Sequence, residues 1–138
     1  MRMPIEVEII IFRKNKGKPE FLLLKRTDEK GGFWQPVTGR VEENERQIDT
    51  LKRELKEETG IADFIRIIKN VHYYEWENEK CRSKEYAFGV EVDPKTKVQL
   101  PLDEHKEYRW CSFTKTMKLL KWEGNKIALR KLNKMLNE

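Results

Sequence analysis

Apolar and charged residues alternate through Ile5-Glu6-Val7-Glu8-Ile9, and the segment then continues unbroken as Ile10-Ile11-Phe12. Alternation at period two, followed by a β-branched run, predicts a strand entering a core. Phe21-Leu22-Leu23-Leu24 predicts a second buried strand, and the Lys- and Gly-rich residues 13–19 between them predict the turn of a hairpin. Pro36 blocks a helix across residues 33–39, where aromatic and β-branched neighbours favour extended chain. Over residues 45–59 the period changes. Ile48, Leu51 and Leu55 recur at helical spacing, and Gly60 stands where a left-handed residue ends a helix. Further strands are predicted over residues 64–76 and 85–92 with a charged connection at 77–84, then an exposed turn region at 94–101 and a short strand at 108–113. The tail places Met117, Leu119 and Leu120, then Ile127, Leu129, Leu132 and Leu136, in helical patterns that break near Gly124. Strands around one central helix, with helix at the end, make a mixed α/β layered arrangement, read as one domain over residues 1–138.

Composition narrows the class. A chain of 138 residues can enclose a core between two layers. No stretch approaches the roughly 20 apolar residues of a membrane span, and the first residues lack an apolar signal region. A soluble, unprocessed, cytoplasmic protein is therefore expected. Cys81 and Cys111 have no CxxC partner and the chain holds two histidines, so neither a disulfide framework nor a zinc site is indicated. The net charge of +5 suits an anionic ligand and a lysine-rich surface equally. A nucleic-acid partner would call for clustered Lys and Arg interleaved with aromatics, which the short turn from Lys14 to Lys18 does not supply. Monomer and homodimer both remain open.

The chemistry is concentrated in the predicted helix. Glu45, Asp49, Glu54, Glu57 and Glu58 are acidic, and the spacings of the last three put them on one face, beside the apolar stripe. Such carboxylates repel one another and raise each other's pKa values unless a cation neutralises them. Hard oxygen donors suit Mg²⁺ or Mn²⁺. On the helix alone, an acidic surface solvated and paired with Lys52, Arg53 and Lys56 would account for the same residues.

The residues around the helix decide between these. The string Gly39-x5-Glu45-x7-Arg53-Glu54-Leu55-x-Glu57-Glu58-x-Gly60-Ile61, spanning residues 39–61, resembles the Nudix box at every defined position. The resemblance to this MutT-like family implies an α/β/α sandwich with a mixed sheet and a loop-helix-loop motif. By position, Glu54, Glu57 and Glu58 resemble the metal ligands, Arg53 the residue that orients a carboxylate, and Gly39 the donor of a backbone carbonyl to metal; Glu45 would brace the loop. Asn44 departs from the Gly of many members, though Asn tolerates the left-handed conformation.

Outside the box, residues 33–43, the Glu104-His105-x2-Tyr108-x-Trp110 string and the Trp122-x2-Asn125 region resemble the branch of the family that cleaves dihydroneopterin triphosphate and dATP. There the position of Glu104 supplies a further metal ligand, and Arg2, Arg26 and Thr38 would face substrate. Trp76 and Trp122, flanking polar segments, are candidates to stack on a base or pterin, whereas Trp34 and Trp110 are expected to pack in or beside the core. The function implied is metal-dependent pyrophosphohydrolysis of a nucleoside or pterin triphosphate to a monophosphate and pyrophosphate. The same box serves dinucleoside polyphosphate hydrolases, such as those acting on diadenosine tetraphosphate. A catalytically silent nucleotide-binding module is the alternative from another class, and the intact carboxylate set argues against it.

Overall fold

The computed structural model describes residues 3–101 and 103–138. Seven strands form one sheet: β1 (Ile5–Asn15), β2 (Lys18–Arg26), β3 (Trp34–Gln35), β4 (Val37–Arg40), β5 (Arg66–Glu77), β6 (Arg82–Glu91) and β7 (His105–Cys111). Among the described residues three α-helices accompany them: α1 (Gln47–Thr59), α2 (Phe113–Leu119) and α3 (Glu123–Leu136). Strand β1 organises the sheet. Along one edge it pairs in parallel with β6; along the other its first half pairs with β4 and its far end with β2, both antiparallel. Mixed pairing of this kind needs cover on both faces, and both are covered.

The alternation along β1 assigns those faces. Val7, Ile9 and Ile11 point toward α1 and pack with Leu22, Leu24, Leu51, Leu55 and Val90. Ile10 and Phe12 point the other way, toward α2 and α3, with Phe21, Leu23, Trp34, Leu129 and Leu132. Leu51 and Leu55 are fully buried, and each such side chain contributes roughly 1.5–3 kcal/mol. The result is the expected α/β/α sandwich with a mixed sheet.

Several boundaries differ from the sequence reading. The first turn is only Lys16-Gly17, both at positive φ, because that tight twist lets the flanking strands pair out to Asn15 and Lys18. The charged connection at 77–84 shrinks to a hairpin turn, since Trp76, Glu77, Arg82 and Ser83 join the ladder. The last strand begins three residues earlier, at His105, and stops at Cys111, where Ser112 accepts the Lys115 N–H and starts α2. The tail breaks at Leu120 to Trp122 rather than at Gly124, which lies in the first turn of α3 against the Tyr74 ring. Helix α1 begins at Gln47, so Glu45 belongs to the preceding loop. Gly60 ends that helix in the left-handed conformation, as its position implied, and Asn44 also takes positive φ.

Beneath the N-terminal end of α3, the sheet buries carboxylates. Glu8 has no solvent exposure and Glu85 nearly none. Glu8 Oε1 accepts from Asn125 Nδ2 at 2.8 Å and from the Tyr74 hydroxyl at 3.0 Å, while Trp76 Nε1 donates to Glu85 at 2.9 Å. Burial, reinforced by the neighbouring Glu85, pushes Glu8 up to about 8, and burial likewise raises Glu6 to about 7. A carboxyl whose folded pKa lies above its unfolded value near 4.5 favours the fold when protonated, so this contribution is lost as pH rises toward about 8. Glu8→Gln should therefore gain in relative stability from pH 5 to pH 9, by on the order of a few kcal/mol. Thermal melts of both proteins at the two pH values check this; a stability difference independent of pH would show that Glu8 is ionised throughout.

Candidate active site

The site grows from the loop between β4 and α1 and from the exposed side of that helix. Gly39 lies in β4, and the Glu54 side chain crosses directly over it, in the space a Cβ would fill. Only glycine permits that crossing, which places a carboxylate against the backbone at residues 39 and 40.

Arg53 ties this arrangement together. Its Nε and Nη2 donate to the two oxygens of Glu45 at 2.7 and 3.0 Å, and its Nη1 donates to Glu54 at 2.7 Å and to Glu57 at 3.4 Å. Nη2 also donates to the Arg40 carbonyl at 3.1 Å. The planar fork thus fixes two carboxylates of the helix and the strand beside it at once. Glu45 is the brace: it also accepts from Thr50 Oγ1 at 2.6 Å and from the Glu42 N–H at 3.0 Å. Arg53, followed by Thr50 and the Glu42 amide, holds its carboxyl down to about 2. Burial raises Glu54 above the ordinary carboxylate range despite Arg53, with Glu57 and Glu58 adding to the rise.

The carboxylates do not converge as one trio. Glu54 and Glu57 lie along the Arg53 fork, Glu57 more than half exposed, whereas Glu58 turns toward β7. There the ligand atoms of Glu58, Glu104 and His105 all lie within 4.8 Å of one another. Glu104 thus comes to the site from the far end of the chain, and its carbonyl accepts the Thr27 N–H at 3.1 Å. The sequence reading gave no role to His105, although it is one of two histidines and adjoins Glu104. His105 Nδ1 faces Glu58 Oε2 at 3.3 Å, and both are buried atoms that make no hydrogen bond among the described residues. The His105 contact holds the Glu58 carboxyl below its usual range.

The chemistry of these donors fits a divalent cation: hard carboxylate oxygens come from Glu54 and Glu57 on the Arg53 fork and from Glu58 and Glu104 beside β7, with Glu58 near enough for its charge to act on Glu54. The candidate substrate residues lie on several elements. Arg26 ends β2, where its charge acts on Glu58, its Nε donates to the Lys30 carbonyl and its guanidinium lies 5.8 Å from the Phe33 ring centre. Thr38 pairs with Glu8 across β1 and β4. Trp76 is half-buried and anchored on Glu85, while Trp122 is 51% exposed and meets Phe33 edge-on at 5.9 Å. Trp34 is buried and Trp110 packs against the core, as expected. Arg2 lies outside the described residues.

Residues 3–132 match the NUDIX domain. The chain belongs to the Nudix family. Nudix hydrolases generally use divalent metal ions and act on small nucleotide-type substrates, and the chain is accordingly an enzyme of the pyrophosphohydrolase kind. Among its relatives is a bis(5'-nucleosyl)-tetraphosphatase (asymmetrical) of Caenorhabditis elegans, 31% identical over 132 residues and covered to 93% on both chains. A dihydroneopterin triphosphate diphosphatase of Escherichia coli is 28% identical over 139 residues, covering 93% of this chain and 91% of that protein. An octanoyltransferase of Myxococcus xanthus is 28% identical over 127 residues, but this Nudix chain spans only 35% of its length. A crystal structure of a C. elegans Ap4A hydrolase binary complex superposes with a TM-score of 0.85 at 25% identity, covering 98% of both chains. No helix among the described residues is long and apolar enough to cross a membrane.

Because Arg53 orients carboxylates through a planar fork, lysine can keep its charge but not its geometry. Arg53→Lys should lower kcat roughly tenfold or more with little change in KM. Steady-state kinetics decide the point: a variant whose only defect is a large rise in KM would place Arg53 on the substrate.

Proposed function

We propose that this Nudix hydrolase cleaves a phosphoanhydride bond in a polyphosphate carrying a flat heterocyclic head, using Mg²⁺, or Mn²⁺ in its place. The observation that carries this reading is the Arg53-braced pair Glu54 and Glu57 on the same helix as Glu58, which meets Glu104 in a second cluster. Glu54, Glu57, Glu58 and Glu104, with the Gly39 carbonyl, would hold the metal. When bound, a divalent cation supplies Lewis-acid polarisation of phosphoryl oxygens and lowers the pKa of water. The protein's part is position. Arg53 fixes Glu54 and Glu57 before substrate arrives, so little reorganisation remains for the reaction. Arg26 and Lys30 place positive charge beside Glu58 and Glu104, where a phosphate chain would otherwise meet only carboxylates.

The head is read elsewhere. Trp122 offers an exposed ring at the start of α3, and Trp76 lies on β5 near Glu85, close to where Tyr74 meets Gly124 and Asn125. Arg2 and Thr38 complete the set proposed to face substrate. A purine or pterin triphosphate, cut to a monophosphate and pyrophosphate, agrees with the segments flanking the box and with the E. coli relative. A dinucleoside polyphosphate is the second reading, favoured by the 31% identity and the 0.85 TM-score to C. elegans proteins named for that activity. Residues 1–138 as one cytoplasmic domain, free of nucleic-acid and membrane partners, complete the proposal.

Glu58→Gln should raise the barrier by roughly 3 kcal/mol or more while the fold survives, and EDTA should abolish turnover in the unaltered protein. Near-normal rates in the variant, or in EDTA, would refute the metal-dependent reading. Trp122→Ala should cost about 1–3 kcal/mol in kcat/KM on a substrate with an aromatic head, and little on a head-less polyphosphate. Equal losses on both would make Trp122 a support for α3. A panel of dATP, dihydroneopterin triphosphate and diadenosine tetraphosphate, analysed for pyrophosphate and monophosphate, separates the two substrate readings.

A further inference from the structure

We propose that His105 is a positioning residue for Glu58, and that Gln35 sets its tautomer: the Gln35 amide donates to Nε2, which leaves the ring proton on Nδ1, facing Glu58 Oε2. This rests on the assignment of Glu58 to the metal site. Both residues come from strands on opposite edges of β2. Gln35 pairs with Leu24 and His105 with Arg26, two positions on the face that α1 covers, so their side chains meet across that strand beneath the helix. Gln35 is 8% exposed and His105 2%, and Gln35 Nε2 lies 3.0 Å from His105 Nε2.

With the Gln35 amide oriented as it stands, its NH₂ group toward the ring, the hydrogen-bond inventory of the three groups gives one assignment. An ionised carboxylate only accepts, so the ring nitrogen that faces Glu58 must carry a proton. A neutral imidazole has one donor and one acceptor, so Nε2 must then accept. Among the described residues its partner is Gln35, whose amide is assigned with the NH₂ group toward the ring. In water the imidazole side chain prefers the other tautomer, with the proton on Nε2. The protein therefore selects the less favoured form, as is usual where a ring must present a chosen nitrogen. Its effect would be to turn one oxygen of Glu58 inward and leave the other for the site. The competing arrangement makes Nδ1 itself a metal ligand beside Glu58 and Glu104. That requires a lone pair on Nδ1, a proton on Nε2 and a reversed Gln35 amide. The two arrangements differ in the place of one proton.

Long-range ¹H–¹⁵N correlation spectra of the histidine rings, recorded at mildly alkaline pH without metal and then with Mg²⁺, test this directly. The expected result is the Nδ1–H signature for His105 in both spectra, converting to Nε2–H or a mixture in Gln35→Leu. Nε2–H in the unaltered protein, or conversion to it on adding Mg²⁺, would overturn the proposal and favour ligation. In kinetics, His105→Leu should reduce kcat roughly 10–100-fold with KM changed much less, and His105→Asn, whose amide N–H can occupy the Nδ1 position, should recover several-fold of that loss. Equal kcat for the Asn and Leu variants would also overturn it. Mn²⁺ binding followed by electron paramagnetic resonance should weaken in His105→Leu and be restored in part by Asn. If Leu prevents folding, the Gln35→Leu spectra and the Asn variant still decide. The tautomer is readable whether or not any phosphoanhydride is cleaved, so a failure of the hydrolase reading is distinct from a failure of this one.

Discussion

The five N–H donors of Arg53 are the constraint on which the rest of the site depends. A helix carrying Glu54, Glu57 and Glu58 would repel itself, and the loop before it has no regular backbone pairing to hold it. Arg53 solves both problems by bonding Glu45 from the loop, Glu54 and Glu57 from the helix, and the Arg40 carbonyl from β4. Its usefulness depends on the strand beside it, because the Glu54 side chain that meets the guanidinium lies over Gly39, in the space a Cβ would fill. Helix, loop and strand are thus cross-linked by one side chain and one missing Cβ.

Two groups of carboxylates on the two sides of the sheet show how environment divides similar chemistry. Glu45 keeps its charge because three donors surround it, with Arg53 the strongest. Glu8, sealed under Asn125 and Tyr74, is pushed to hold its proton. The first arrangement is suited to bracing a cation site. The second supports the N-terminal end of α3, which carries Trp122, through a neutral hydrogen-bonded network that avoids the cost of a buried charge. On the proposed reading, metal handling and head recognition rest on different clusters, which agrees with a family whose members differ in substrate.

Relatives at about 30% identity carry names for two different leaving groups. On the proposed reading the box explains why: its carboxylates serve the phosphates, which every candidate substrate has. Discrimination must come from groups that touch what differs. The groups proposed for that task here are Trp76 on β5 and Trp122 at the start of α3.

The sequence by itself determined the hairpin strands, the box helix with its Gly60 stop, the two-faced pattern of β1 and the family, because each of these is local or periodic. Spacing put the acidic residues on the helix, and the box string named Arg53 as their organiser. Only the tertiary structure decided that Glu45 sits outside the helix as the brace, and that Glu58 leaves Glu54 and Glu57 to join Glu104 and His105. It alone joined Gln35 to His105, 70 positions apart, and Glu8 to Asn125, 117 positions apart. Such partners share no period and no spacing; they meet because β2 carries β3 and β7 on opposite edges, and because α3 folds back over the start of β1. Side-chain proton states followed the same division, since burial and partner geometry set them, and neither can be read along a chain.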